Sequence, residues 1–361
     1  LFILTDDQGW SQINTRMHQD IPESMSEYLE TPALNRLSRE GMVFSSGYSP
    51  APLCTPTRRS IQVGATTARS GTEFDSGRRP LGVYEPHKHL TIPKALKQAD
   101  PGYRTAHFGK WGWVMVSSPG ECGYDASDGM TTNGTGGMDG GIEKRTKPFY
   151  VIEDPKRTPS VTSRAIDFMN SAERDGKPFY VQVSYYAVHR RIELQQETLD
   201  KYKKKSLPDR EYSREFAGMM EEMDQGVGRL LDAVGELNTG DNSYVFFMSY
   251  NGGAPPGDNG GFTATETTEK GPLAPNHPLR GNKQMLYEGG IRVPFMVRGP
   301  GVPQGVYCHE PVAGYDLLPT FYDLAGGKQT LPDEVDGVSL RPLLDNDPAT
   351  VFTRPFGALV F

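Results

Sequence analysis

Cysteine is scarce in this chain: Cys54, Cys122 and Cys308 are the only three among 361 residues. An odd number cannot all pair, and their spacing is not that of a zinc site, so neither a disulfide framework nor a structural zinc organises the fold. Long apolar runs are also missing. The most apolar stretches are short pieces such as Tyr244-Val245-Phe246-Phe247-Met248, far below the ~20 residues of a membrane-spanning helix. Nor is there an excess of positive charge. Lys and Arg number 38 against 45 Asp and Glu, a formal net charge of −7, which excludes a general nucleic-acid binder because phosphate backbones demand a basic surface. Internal repeats and low-complexity tracts are absent too.

What the chain does have is 41 Gly, 29 Pro and 36% hydrophobic residues, the balance of a globular protein with many loops at the ends of buried strands. One large domain is the expectation at this length. Leu1-Phe2-Ile3-Leu4 reads as a buried strand with no Met before it. The sequence is therefore expected to begin inside a fold, with any signal peptide outside it.

Strand, polar loop and helix recur along the chain. The opening strand runs into Asp6-Asp7-Gln8-Gly9, placing two acids at the carboxyl end of a buried strand, the ligand edge of open α/β sheets. Thr31 fits an N-cap, Pro32 the first helical turn and Gly41 a stop around Ala33, Leu34 and Leu37. Further strands are expected at 42–44, 103–108, 178–186, 244–249 and 292–297, with a last strand-like run at 356–361. Helices are expected at 160–172, 211–237 and 316–324. In the long helix Met220, Met223, Val227, Leu230, Leu231 and Val234 share one face as core filling. Residues 114–147, dense in Gly, Ser, Thr and Asp, read as a long functional loop.

Cys54 stands in Pro52-Leu53-Cys54-Thr55-Pro56-Thr57-Arg58-Arg59. Pro56 suits a first helical turn, so Cys54 is expected at a helix N-terminus, where free N–H groups favour an anion. Arg58 follows one turn later, within reach of a charged group on residue 54. Arg78, Arg79, Arg190 and Arg191 are candidates for other anionic groups.

The run Cys54-x-Pro56-x-Arg58, followed by Gly64-Ala65-Thr66-Thr67-Ala68-Arg69-Ser70-Gly71, resembles the signature of the type I sulfatases, with Thr57 in the position of their serine. The resemblance extends from Asp6-Asp7 to Asp336-Gly337-Val338-Ser339-Leu340. It implies an alkaline-phosphatase-like fold: a three-layer α/β/α sandwich on a large mixed, mostly parallel sheet. The catalytic domain would cover 1–345, and 346–361 would begin a truncated C-terminal subdomain.

By the same resemblance Cys54 is the precursor of a formylglycine nucleophile, installed by a sulfatase-maturating enzyme. Asp6, Asp7, Asn251 and residue 54 would hold a divalent cation, calcium first and magnesium second. Lys110 and Lys283 would clamp the sulfate, Arg58 would steady residue 54, and His189 would meet the leaving-group oxygen. Hard cations with oxygen ligands suit this chemistry, since several ester oxygens need charge neutralisation at once.

Two positions depart from the family pattern. Tyr250 precedes Asn251 where an aspartate ligand is expected, and Asp258 in Asp258-Asn259-Gly260 is a possible substitute. Gly112 follows Gly109-Lys110-Trp111 where many members have a histidine, and His107 lies nearby within the preceding strand. The stretches 103–112 and 123–129 resemble carbohydrate sulfatases of marine bacteria, including those acting on carrageenans, which implies a periplasmic or secreted enzyme. Three readings stay open: a carbohydrate sulfatase, a phosphoesterase or phosphonate hydrolase of the same superfamily, and a non-catalytic binder of sulfated glycans.

Overall fold

The computed structural model describes residues 1–70, 85–112, 115, 117–132, 148–208, 210–255, 273–345, 352–354 and 357–361, with the backbone of 73–74 and 80–81. Eight strands form the main sheet: β1 (Phe2–Thr5), β2 (Met42–Phe44), β3 (Arg104–Gly109), β4 (Ala126–Ser127), β5 (Phe179–Ser184), β6 (Val245–Ser249), β7 (Phe295–Arg298) and β8 (Val306–Cys308). Their spatial order is β8-β2-β7-β6-β1-β5-β3-β4. Only β7 runs against the others, pairing antiparallel with β6 and β2, so the sheet is mixed and mostly parallel.

Alternation along β1 shows why helices cover both faces. Ile3 belongs to one apolar core, while Phe2 and Leu4 belong to the other; a strand buried on both sides cannot face water on either. Beneath the Ile3 face lie α1 (Pro32–Glu40), α4 (Thr158–Arg174) and α5 (Arg214–Glu236). They contribute Leu34 and Leu37, Val161 and Phe168, and the expected run from Met220 to Val234. The opposite face is covered by α2 (Cys54–Val63), α3 (Ile92–Ala99) and α6 (Leu317–Leu324), through Ile61, Ile92, Leu96, Leu318 and Phe321. Each such side chain contributes ~1.5–3 kcal/mol by leaving water. This is the three-layer α/β/α sandwich the sequence led us to expect.

Several local expectations need correction. The hydroxyl of Thr31 does not cap α1 but accepts from the Asn14 amide at 2.8 Å. The free amides of Ala33 and Leu34 donate instead to the buried Asp224 carboxylate of α5, at 2.8 and 2.9 Å. A carboxylate from a neighbouring helix thus does what a local cap would do. Gly41 does end α1, as expected, in extended backbone with φ −150°. Residues 126–127, placed in a loop by sequence, form the edge strand β4. No strand forms among the described residues after 345; Arg354 there donates to Asp316 at 2.6 and 2.9 Å, tying the tail to the start of α6. Arg78, Arg79, Asp258 and most of the second half of the 114–147 loop lie outside the described residues.

All the parallel strands point their carboxyl ends to one edge. β3 reaches it through Gly109, whose φ is +95°; a Cβ built there would lie 2.1 Å from the Ser184 carbonyl oxygen of β5. Gly109→Ala therefore meets both left-handed strain and a backbone collision. It is expected to destabilise the protein by more than ~2 kcal/mol, read as a lowered urea midpoint with unchanged slope.

Candidate active site

Consecutive strand residues normally point to opposite faces, yet Asp6 and Asp7 serve one site. Asp7 takes a left-handed conformation, φ +59°, which turns its side chain back beside that of Asp6. Carboxylate oxygens of both acids and a ring nitrogen of His189 all lie within 4.8 Å of one another. Paired backbone bonds fix this juxtaposition: the Asp6 amide donates to Ala187 at 2.9 Å, and the Val188 amide donates to Asp6 at 2.7 Å. Non-glycine residues in that region cost ~1–3 kcal/mol and cluster at functional sites.

Each acid has a lysine. Lys110, immediately after β3 and wholly buried, donates to Asp6 Oδ2. Lys283 Nζ donates to Asp7 Oδ2 at 2.6 Å, and Asn251 Nδ2 donates to Asp7 Oδ1 at 2.8 Å. His189 Nε2 stands 3.8 Å from Asp7 Oδ2. Burial pushes the Asp6 carboxyl up to about 6, with Lys110 opposing it. Burial acts the same way on Asp7, but Lys283 foremost, with Lys110, outweighs it and holds that carboxyl well below the usual range. Burial, reinforced by Lys110, drives His189 well below the ordinary imidazole value, so its ring is neutral.

Helix α2 begins at Cys54 itself, with Leu53 as a cap that makes no side-chain bond. The first intrahelical bond comes from Thr57 to Leu53 at 3.2 Å, leaving the amides of residues 54 and 55 among the free donors of an anion-binding helix end. Arg58 is 3% exposed. It donates to the Cys54 carbonyl at 3.2 Å, the Lys110 carbonyl at 3.4 Å and Thr55 Oγ1 at 3.4 Å. Among the described residues no carboxylate pairs with it, so a buried cation faces Cys54. The Lys283 loop is locked to the Cys54 loop by the Gln284 amide, which donates to the Pro52 carbonyl at 2.9 Å.

Eight residues expected at the site therefore arrive at the carboxyl edge of the sheet: Asp6, Asp7, Cys54, Arg58, Lys110, His189, Asn251 and Lys283. Asp6 Oδ1 and Asn251 Oδ1 are buried and accept no hydrogen bond among the described residues. Two orphaned oxygens beside a second carboxylate fit a hard divalent cation. Tyr250 does not fit as a ligand: it is fully buried, and burial raises its phenol well above the ordinary value, so it stays protonated.

The other departure lies close against Arg58. Gly112 has φ +86°, and a Cβ there would lie 2.7 Å from Arg58 Nη2 and 2.9 Å from Nη1. A side chain here would require the guanidinium end of Arg58 to shift. His107 does not take over: it points into an aromatic cluster with Trp111 and Tyr124, bonds Ser184 Oγ at 3.0 Å, and is pushed down to about 3, chiefly by burial.

Sequence reasoning missed Lys156. It is wholly buried, sits at φ +51° and donates from Nζ to the Arg190 carbonyl at 3.3 Å. Burial brings it down to about 8, with Glu193 and Asp6 pulling the other way. A lone lysine in Asp154-Pro155-Lys156-Arg157 carries no sequence signal that sets it apart from a surface charge.

The family model described as Sulfatase matches residues 1–327. The chain belongs to the sulfatase family. Members are sulfuric ester hydrolases, and the chain is 28% identical to a sulfatase of Formosa agariphila, over 95% of this chain and 71% of that protein. It is 29% identical to human arylsulfatase A, covering 95% of this chain and 67% of the other, and 26% identical to canine N-acetylgalactosamine-6-sulfatase, where it spans 65% of the relative's length. Among solved structures, Ps i-CgsB in complex with k-i-k-neocarrahexaose superposes with TM-score 0.73 at 25% identity, covering 96% of this chain and 76% of that one. The phosphonate monoester hydrolase SpPMH of Silicibacter pomeroyi shares the fold at TM-score 0.65 and 18% identity, over 98% of this chain and 78% of that one.

Gly112→Ala is expected to lower the denaturation midpoint by the equivalent of ~2 kcal/mol or more. In an Arg58→Ala background, where the collision is gone, the same change should cost measurably less; equal costs in both backgrounds would show that Arg58 is not what excludes the side chain.

Proposed function

We propose that this sulfatase-family chain hydrolyses sulfate esters of a carbohydrate, a carrageenan-type sulfated polysaccharide or its oligosaccharides. The observation that carries the reading is the convergence of the Cys54 helix end and Arg58 with two lysines, His189 and the unpartnered oxygens of Asp6 and Asn251. Residue 54, converted to formylglycine by a maturating enzyme, supplies the attacking hydroxyl. A divalent cation, calcium before magnesium, would be held by Asp6, Asp7, Asn251 and the side chain of residue 54, and when bound it neutralises charge on ester oxygens.

The chain's own residues do the positioning. Arg58, fixed by three oxygen acceptors, sets a permanent positive charge against the sulfate. Lys110 and Lys283, each held by one of the paired acids, present two ammonium groups beside the carboxylates. Burial keeps His189 neutral, so it meets the leaving-group oxygen as a hydrogen-bonding ring and not as a standing charge.

A sugar-bearing substrate is supported by the site rim. Met285, Leu286 and Tyr287 are exposed large apolar side chains immediately after Lys283 and Gln284. Arg280 stacks 4.0 Å over the Tyr287 ring, which puts an aromatic face and a guanidinium next to the sulfate clamp. Aromatic rings with a polar edge suit amphipathic ligands such as sugars. The similarity to Ps i-CgsB, solved with k-i-k-neocarrahexaose, supports the carrageenan class. A periplasmic or secreted location follows from such a substrate.

The test is sulfate release, by ion chromatography, from defined carrageenan oligosaccharides by the calcium-loaded protein, with mass analysis of the peptide around residue 54. Release is expected, lost on Cys54→Ala; a preference for phosphate over sulfate in a matched pair of aryl esters would overturn the reading. Tyr287→Ala is expected to raise KM for the oligosaccharide about tenfold, ~1.4 kcal/mol, and to leave KM for an aryl sulfate unchanged.

A further inference from the structure

Tyr250 directly follows β6, in the floor of the site. Its ring lies 5.2 Å from Lys110 Nζ and 5.7 Å from the Arg58 guanidinium carbon, so both cations rest against one aromatic ring. Its hydroxyl is buried and has no hydrogen-bond partner among the described residues. A buried hydroxyl left unsatisfied costs ~1–3 kcal/mol, and buried polar groups without partners call for an explanation. This one sits where Asp6, Asp7, Cys54 and Arg58 all act on it electrostatically.

The neighbouring cations are donors and cannot accept from a phenol. A tetrahedral anion drawn in by Lys110 and Arg58 can, because each of its oxygens is an acceptor. We propose that Tyr250 is a further substrate-contacting residue: its O–H donates to an oxygen of the bound sulfuryl group while its ring seats Lys110 and Arg58. An acid at this position would add a negative charge; the phenol adds a neutral donor, so the anion meets three cations and a hydroxyl in place of a third carboxylate. The inference rests on the anion site of the proposed function.

The test uses Tyr250→Phe, which keeps the ring. Inorganic sulfate and inorganic phosphate are titrated calorimetrically into the calcium-loaded parent and variant, with calcium affinity and thermal midpoint measured alongside. Anion affinity is expected to fall about tenfold, as for a lost hydrogen bond to a charged acceptor. Calcium affinity should stay within twofold, and the midpoint should hold or rise because an orphaned hydroxyl is removed. Unchanged anion affinity, a tenfold loss of calcium affinity or a lowered midpoint would each overturn the proposal, the last two by making the phenol a metal ligand or a structural bond. If the parent binds phosphate and not sulfate, the sulfatase reading falls while the variant still judges Tyr250 on phosphate; if it binds neither, both fall.

Discussion

Asp7 is a buried carboxylate claimed at once by Lys283, Asn251 and His189. A single buried charge is costly to leave unpaired, so the left-handed turn that exposes Asp7 to these partners is stable only when the loops after β5, after β6 and around residue 283 are all in place. The rest of the site is arranged around that requirement. Lys110 settles on the neighbouring Asp6, and Arg58, at the start of α2, is left with oxygen acceptors and the Tyr250 ring.

Charge compensation also explains the two residues that break the family pattern. Gly112 keeps a place for the Arg58 guanidinium, and Tyr250 offers that guanidinium and the Lys110 ammonium an aromatic face. Each substitution on its own reads as a loss: a missing histidine, a missing carboxylate. Both lie against Arg58, Gly112 beside its guanidinium and Tyr250 beneath it.

Much of this was legible in the sequence because it is written in short range. The strand followed by Asp6-Asp7, the proline after Cys54 and the 3.6-residue period from Met220 to Val234 each carry their meaning within a few residues, and the structure bears them out. What stayed hidden depends on partners far along the chain. Asp224 replaces Thr31 as the cap of α1 from 191 residues away. β4 exists because a two-residue segment finds the edge of β3. Lys156 becomes a site neighbour only because the loop after β5 folds over it. The closeness of Gly112 to Arg58 needs the rotamer of a side chain 54 residues earlier, which no local pattern encodes.

The contacts that build the pocket join residues 104, 244 and 276 positions apart, for Lys110 with Asp6, Asn251 with Asp7 and Lys283 with Asp7. Closing such loops costs entropy that the contacts themselves do not offset; the two apolar cores must do so first. The pocket is thus a late reporter of folding. A chain ending before residue 283 could still pair β6, β1, β5, β3 and β4, yet Asp7 would be buried without its ammonium partner, so binding competence would disappear while that part of the sheet remained.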